Sequence, residues 1–106
     1  MQGEYGVIYP LNLAKRIASR YDAVAQNNLG NRFYHGRGVA QDYAEAVRLY
    51  SLAAAQGHAK AQNNLGVMFE NGQGVAQDRA EAIRWYRLAA SQGNAGATAA
   101  LKRLGV

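Results

Sequence analysis

Apolar residues recur at helical spacing along most of this chain. In a predicted helix from about residue 23 to 34, Leu29 and Phe33 lie four positions apart on one face. Another predicted helix of the same kind, from about residue 59 to 70, carries a leucine and a phenylalanine at the same spacing. Proline occurs once, and alanine, the best helix former, is abundant. With no strand pattern between these segments, the sequence predicts an all-α fold.

The helical pattern recurs because the sequence itself repeats. Residues 25–60 and 61–96 align at an offset of 36 and are identical at 24 of 36 positions. A third copy starts in residues 97–106 and breaks off. A repeat of this length without strands is typical of a helical solenoid. We therefore predict an N-terminal segment and capping helix at 1–24, two full units at 25–60 and 61–96, and a C-terminal half-unit cap at 97–106.

Each unit is predicted to contain a second helix between an acidic cap and a glycine stop. In the first unit Asp42 can cap the helix, and Glu45 completes a capping box three residues later. The helix ends before Gly57, a residue type that accepts positive φ. The same places in the second unit are occupied by Asp78, Glu81 and Gly93.

Two glycines inside the first helices predict close helix crossings. Gly30 and Gly66 occupy interior helical positions, where glycine costs about 1 kcal/mol relative to alanine. On the second helices, Tyr50 and Tyr86 share faces with alanines, and each ring can fill the space that its alanine neighbours leave open. We expect these residues to belong to the core.

Both units contain the same three motifs in order: L-G-x-x-F, G-x-G-V-x-Q-D and A-E-A-x-R-x-Y-x-x-A-A-x-Q-G. These motifs resemble the Sel-one-like repeat (SLR), a branch of the tetratricopeptide (TPR) superfamily. The resemblance covers residues 25–96 and, as a half unit, 97–106. It implies a right-handed α-solenoid of helix–turn–helix repeats, a TPR-like α-α superhelix. It also implies an adaptor or scaffold role, although this chain has no cysteine and so departs from the disulfide-bonded branch.

By this resemblance, the first helix of each unit lines the concave side of the solenoid and binds a protein or peptide partner. Its outward positions, continued in the terminal helix, are predicted to be Asn27, Asn31, Tyr34, His35, Asn63, Val67, Glu70, Asn71 and Arg103. Asparagine both donates and accepts hydrogen bonds, which suits the backbone of an extended peptide. The alternative is that the asparagines are solvated or cap their neighbours.

A net charge of +5 makes single-stranded RNA the rival partner. Helical-pair repeats of this length can recognise one base per repeat when a basic row carries aromatic platforms. Arginines and aromatic residues do lie near one another on the second helices: Arg48, Arg84 and Arg87 with Tyr50, Trp85 and Tyr86. The two tyrosines, however, are predicted to be core residues, and no run of like charge exceeds two residues. A nucleic acid is therefore the less favoured partner.

The sequence predicts no enzyme, no cofactor and no metal site. His35 and His58 lack helical pair spacing and have no cysteine beside them. The serines lack a nucleophile elbow, and the G-x-G-V turns are not followed by the K-[ST] of a phosphate-binding loop. No apolar run is long enough to span a bilayer, and no signal peptide is recognisable in the first ten residues.

The ends of the array predict a third possibility, self-association. Leu13, Ile17 and Tyr21 are spaced by four and predict an amphipathic capping helix in residues 10–24. If that helix continued through Asp22 into the next one, its apolar face could pack on a second chain as a dimer. The alternative is that Asp22 caps a new helix and a turn keeps the first helix on its own array. At the other end, Lys102 replaces the repeat's glycine, which suits a terminal helix that accepts no partner.

Overall fold

The computed structural model describes residues 9–19 and 22–106, and within these ranges the chain forms six α-helices and no strand. The helices are α1 (Leu11–Ala18), α2 (Ala23–His35), α3 (Tyr43–Ala55), α4 (Ala59–Asn71), α5 (Arg79–Ser91) and α6 (Ala95–Leu104). Both first helices begin where the sequence predicts and end one residue later. The predicted all-α solenoid of helix–turn–helix repeats is confirmed.

The helices stack in chain order. α2 packs with α3 and α4 with α5, and the contact between α3 and α4 joins the two units. At the ends, α1 packs on α2 and α6 packs on α5, with a smaller contact to α4. The resulting body measures 41 × 27 × 24 Å. The first helices of the two units and of the C-terminal half-unit, α2, α4 and α6, therefore form one row.

The G-x-G-V-x-Q-D loop is held by bonds back to the helix that it leaves. In the first unit, Asp42 N–H donates to the Phe33 carbonyl at 2.9 Å, and Gln41 Nε2 donates to the Tyr34 carbonyl at 2.8 Å. The Asp42 carboxylate then accepts from Glu45 N–H and caps α3. These bonds use the motif's polar residues to close the turn.

The predicted capping box forms only by half. Asp42 does cap Glu45 N–H, but the Glu45 carboxylate does not return to Asp42, since that N–H already donates to Phe33. Glu45 instead accepts from Arg48, at 2.9 Å from Nε and 2.6 Å from Nη2. The second unit repeats this arrangement with Asp78, Glu81 and Arg84.

The two interior glycines lie under tyrosine rings, as predicted. A Cβ on Gly66 would lie 2.7 Å from the ring of Tyr86, and one on Gly30 would lie 2.7 Å from that of Tyr50. Both tyrosines are buried in the core. Glycine at these positions therefore lets the two helices of each pair approach closely.

The capping helix α1 packs through a different face from the one predicted. Ala14 and Ala18 are buried against the core, whereas Leu13 is 38% exposed, so the predicted Leu13–Ile17 stripe is not the packing face. The small alanines allow α1 to lie close to α2. Tyr21, the third member of the predicted stripe, lies outside the described residues.

Of the two alternatives at Asp22, a cap of a new helix or one continuous helix, the structure has the cap. α1 ends at Ala18, and Asp22 has an extended backbone and accepts the Ala25 N–H at the start of α2. Arg32 of α2 donates to the Tyr9 carbonyl at 2.9 Å and ties the segment before α1 to the same unit. α1 therefore caps its own chain as a separate helix.

Candidate partner-binding groove

Four of the predicted partner-binding residues meet in a shallow pocket between α2 and α4. Its volume is about 190 Å³. We call it the junction pocket, and its lining residues are Asn31, Tyr34, His35, Tyr50, Asn64, Val67 and Met68. The pocket forms because equivalent positions of successive first helices lie side by side in the row.

Internal hydrogen bonds fix the two amide groups of this pocket. Tyr50 Oη donates to Asn31 Oδ1 at 2.6 Å, and Asn64 Nδ2 donates to Asn27 Oδ1 at 2.9 Å. Burial raises the pKa of Tyr50, so its hydroxyl remains a donor throughout the ordinary pH range. The two amide side chains that line the pocket are thus held in place by hydrogen bonds within the protein.

Asn27 does not face outward, and that prediction is wrong. The residue is only 4% exposed, because its side chain turns toward α4 and accepts the bond from Asn64. Its role is to position Asn64, the residue that reaches the pocket in its place.

Aromatic rings form the rim of the pocket at the end of α2. The rings of Tyr34 and His35 meet edge to face with their centres 4.9 Å apart, and the centre of the Tyr43 ring lies 5.2 Å from that of Tyr34. The Tyr34 hydroxyl is 3.4 Å from Gln73 Oε1 in the loop of the second unit. His35 is exposed at the rim.

In the second unit, a hydrogen bond from Tyr86 to an ion-paired glutamate takes the place of the hydrogen bond between Tyr50 and Asn31. Val67 stands where Asn31 stands in the first unit and accepts no hydrogen bond, so Tyr86 Oη donates to Glu70 Oε1 at 2.7 Å. Arg103 of α6 donates to both Glu70 oxygens, at 2.7 and 2.9 Å. Glu70 and Arg103, predicted separately as partner residues, therefore bind each other.

This cluster predicts a dependence of stability on pH. The hydrogen bonds from Arg103 lower the pKa of Glu70 below its ordinary 4.5, with Tyr86 adding a smaller effect. A carboxyl whose folded-state pKa is lowered stabilises the fold above its unfolded pKa, and this contribution is lost as the pH falls through the folded value. Urea unfolding at about pH 7 and about pH 3 should therefore show a smaller pH difference for Glu70→Gln than for wild type. An unchanged difference would contradict the assignment.

Asn63 lies at the junction with α6 and lacks the partner that Asn27 has. Its Oδ1 is buried and accepts no hydrogen bond from any described residue. Between α2 and α4, Asn64 is the residue that donates to Asn27. The position equivalent to Asn64 in the C-terminal half-unit is occupied by Ala100. The missing asparagine leaves an unpaired acceptor, which is costly in a buried position.

Restoring that donor should stabilise the protein. The free energy of unfolding of Ala100→Asn is expected to be about 1–2 kcal/mol higher than that of Ala99→Asn, the matched control at the exposed neighbouring position. Both variants lose about 0.7 kcal/mol of helix propensity, so their difference reports what the asparagine does at the buried position, where we expect the new hydrogen bond to outweigh the added volume. Urea unfolding measures it, and equal stabilities would show that position 100 does not reach Asn63.

Sequence reasoning missed three lining residues of the pocket and, in each unit, a pair of glutamines in which one member is buried and the other is exposed. Tyr50, Asn64 and Met68 had no predicted place in the pocket. Gln56 Nε2 donates to Gln26 Oε1 at 2.7 Å, and Gln92 Nε2 donates to Gln62 Oε1 at 2.9 Å. A signal was present, because both glutamines recur in both units at a separation of 30 residues. The last predicted residue, Asn71, is exposed at the end of α4 and does not line the pocket.

The second helices present a partly neutralised surface on another side. Arg48 and Arg84 are paired with Glu45 and Glu81. The Arg84 guanidinium also lies 4.5 Å from the centre of the Trp85 ring, whose Nε1 donates to Glu81. These interactions occupy two of the three arginines that the RNA hypothesis requires, whereas the third, Arg87, is exposed.

No three potential metal ligands among histidine, aspartate and glutamate come together within residues 9–19 and 22–106. In the same ranges, no helix has the length and apolar character needed to cross a membrane.

Stacked helix pairs repeating every 36 residues place the protein in the TPR-like class of helical-repeat proteins. The Sel1 repeat model matches residues 23–58 and 59–94, so this chain belongs to the Sel1 repeat family. Proteins of this family are generally scaffolds for protein interactions and are typically not enzymes.

Solved structures share this fold. A protective antigen of uropathogenic Escherichia coli strains with an SLR fold is 45% identical at a TM-score of 0.79, over 82% of this chain and 19% of that one. A Sel1 repeat protein from Oxalobacter formigenes is 40% identical at a TM-score of 0.78, over 79% of this chain and 35% of that one. This chain therefore spans about a fifth and about a third of the lengths of those two proteins.

The cysteine rich protein B of Helicobacter pylori has a TM-score of 0.79 at 21% identity, over 85% of this chain and 68% of that one, and shows the fold alone. Among curated proteins, none matches the chain significantly.

Proposed function

We propose that this chain is an adaptor that binds a peptide or a partner protein along its row of first helices, the predicted concave face. The observation that supports this most directly is the junction pocket. It brings Asn31, Tyr34 and His35 of α2 together with Val67 of α4, four of the nine residues predicted to contact a partner. A pocket that joins two repeats is available only in the folded array, as a partner site on a solenoid should be.

The remaining predicted residues have different roles in this proposal. Asn71 is exposed at the end of α4 and extends the contact surface. Glu70 and Arg103 form an ion pair toward α6, where a partner's charged group could compete for either member. Asn63 adds an unpaired acceptor at the second junction.

The proposal is tested by blocking the pocket without disturbing the fold. Val67→Arg places a long side chain in the pocket, at a position where the last unit already has Arg103. The matched control is Leu88→Arg, which adds the same charge at an exposed position of α5. Proteins captured by wild type and by Leu88→Arg should be absent with Val67→Arg, while helix content stays the same. Partners retained by Val67→Arg but lost with Leu88→Arg would place binding on α5 instead.

RNA binding is less well supported than protein binding. A basic row needs free cations and exposed rings, yet Arg48 and Arg84 are ion-paired, and the rings of Tyr50 and Tyr86 are buried. Filter binding of single-stranded RNA across salt concentrations is therefore expected to show no retention. A steep loss of binding with added salt would instead favour the RNA hypothesis.

Self-association has one observation in its favour. Tyr9, Leu13 and Val24 are 51%, 38% and 56% exposed near the N-terminal end of the array, where a second copy could cover them. Light scattering over a tenfold concentration range tests this. A mass above 11.5 kDa that rises with concentration would support it, and a constant 11.5 kDa would contradict it.

A further inference from the structure

The two amides of the junction pocket present opposite hydrogen-bonding groups to a ligand. Asn31 uses its Oδ1 to accept from Tyr50, so the group left for the pocket is its Nδ2, a donor. Asn64 uses its Nδ2 to donate to Asn27, so the group left is its Oδ1, an acceptor. No described residue bonds to either remaining group.

The Tyr50 hydroxyl determines which way the Asn31 amide is turned. Because Tyr50 is buried, its proton needs an acceptor, and the 2.6 Å hydrogen bond to Asn31 Oδ1 supplies one. Turning the amide around would place Nδ2 against the hydroxyl and leave that proton unpaired. The core thus selects a donor for the pocket side of α2.

The rest of the pocket has no lysine, arginine or carboxylate. Its α4 side consists of Val67 and Met68, and its rim is formed by the rings of Tyr34 and His35. The nearest acidic member of the predicted row, Glu70, is already paired with Arg103. A charged ligand group would lose water here without gaining an opposite charge, and that loss is unfavourable.

We propose that the junction pocket recognises an uncharged secondary amide within an extended peptide, next to an apolar side chain, and discriminates against a chain-terminal carboxylate. The Asn31 donor bonds the peptide carbonyl, the Asn64 acceptor bonds the peptide N–H, and the side chain packs against Val67. The partner is therefore bound through an internal segment of its chain. This inference rests on the proposed function, since it concerns the chemistry of the same junction pocket.

Two small probes that share one side chain test the proposal. N-acetyl-leucine N-methylamide carries two secondary amides, and N-acetyl-leucinate replaces one of them with a carboxylate. Each is titrated into the full chain at about pH 7.5, while the side-chain N–H resonances of Asn31 and Asn64 are followed by NMR, and those of Asn64 remain as the signal when Asn31 is substituted. The methylamide should shift them saturably with a dissociation constant on the order of millimolar, as expected for so few atoms. The carboxylate should bind at least about fivefold more weakly.

A substitution at Asn31 separates recognition from folding. Asn31→Asp keeps an oxygen that accepts from Tyr50 but replaces the donor with a carboxylate oxygen. It should weaken methylamide binding by about tenfold or more, because the bond to the peptide carbonyl disappears and two oxygens then face each other. The matched control is Asn28→Asp, an exposed residue of α2 outside the pocket, which should bind like wild type.

The outcomes distinguish this inference from the proposed function. If both probes bind the pocket equally, the discrimination against a carboxylate is overturned, since each probe keeps its acetyl amide. If Asn31→Asp binds the methylamide like wild type, amide recognition is overturned. In both cases the junction pocket remains a binding site. If neither probe shifts any lining residue, amide recognition is overturned as well. The capture experiment with Val67→Arg then decides by itself whether the groove binds a partner.

Discussion

Replacing Leu65 with alanine is expected to lower the free energy of unfolding by about 2–5 kcal/mol. Leu65 is 2% exposed and belongs to the core cluster that joins the two units. Truncating it removes buried methyl groups and leaves a cavity that closely packed helices cannot readily fill. Since small domains have only about 5–15 kcal/mol of total stability, this one change removes a large part of it.

The matched control is the same truncation on the surface. Leu52 on α3 is 42% exposed, so Leu52→Ala should change stability by no more than about 0.5 kcal/mol. Urea unfolding of the two variants beside wild type measures the difference. A loss below about 0.5 kcal/mol for Leu65→Ala would mean that the assignment of helix faces is wrong.

Replacing Gly74 with alanine should have the second large effect. Gly74 has φ +75°, a conformation that costs other residues about 1–2 kcal/mol. In addition, a Cβ there would lie 2.5 Å from the Tyr43 carbonyl oxygen, because the loop of the second unit rests on the start of α3. The loop must move away from α3, which adds about 1–3 kcal/mol to the loss.

The chain contains its own control for this substitution. Gly38 has the same place in the first unit and a similar φ of +69°, but the nearest atom to its Cβ would be Arg32 Nη2 at 3.6 Å. Gly38→Ala should therefore show the backbone strain without the clash, and unfold with a smaller loss than Gly74→Ala. Equal losses in thermal or urea unfolding would mean that the packing of the loop on α3 contributes nothing.

Much of the fold could be predicted because it depends on local signals that occur twice. The caps at Asp42 and Asp78 and the glycines at 57 and 93 set the helix limits, with φ of +88° and +89° at the two glycines. The pairing of Gly66 with Tyr86 follows from a costly residue retained in the same place in both units. One half of the capping box was not predictable from the two-residue signature alone. It depends on Arg48, a competitor one turn away, and on a backbone bond to Phe33.

The candidate site was only partly predictable, since its side-chain pairs join different units. Asn27 and Asn64 pair at a separation of 37 residues, and Glu70 and Arg103 at 33, one repeat plus or minus part of a turn. A repeat with asparagine at two adjacent positions does not indicate which of them turns inward. The resemblance therefore placed Asn27 outside and left Asn64 unassigned, whereas the hydrogen bond between α2 and α4 reverses these roles.

The position of α4 has a consequence for how solvent reaches the backbone. α4 packs against α3, α5 and α6, while α1 packs mainly on α2. A solenoid opens from its ends, because a terminal helix has a neighbour on one side only and detaches at the lowest free-energy cost. The amide hydrogens of α1 and α6 will therefore exchange with deuterated water through local fraying, and those of α4 only when the array opens as a whole. Amide exchange in α4 thus reports the global stability of the protein.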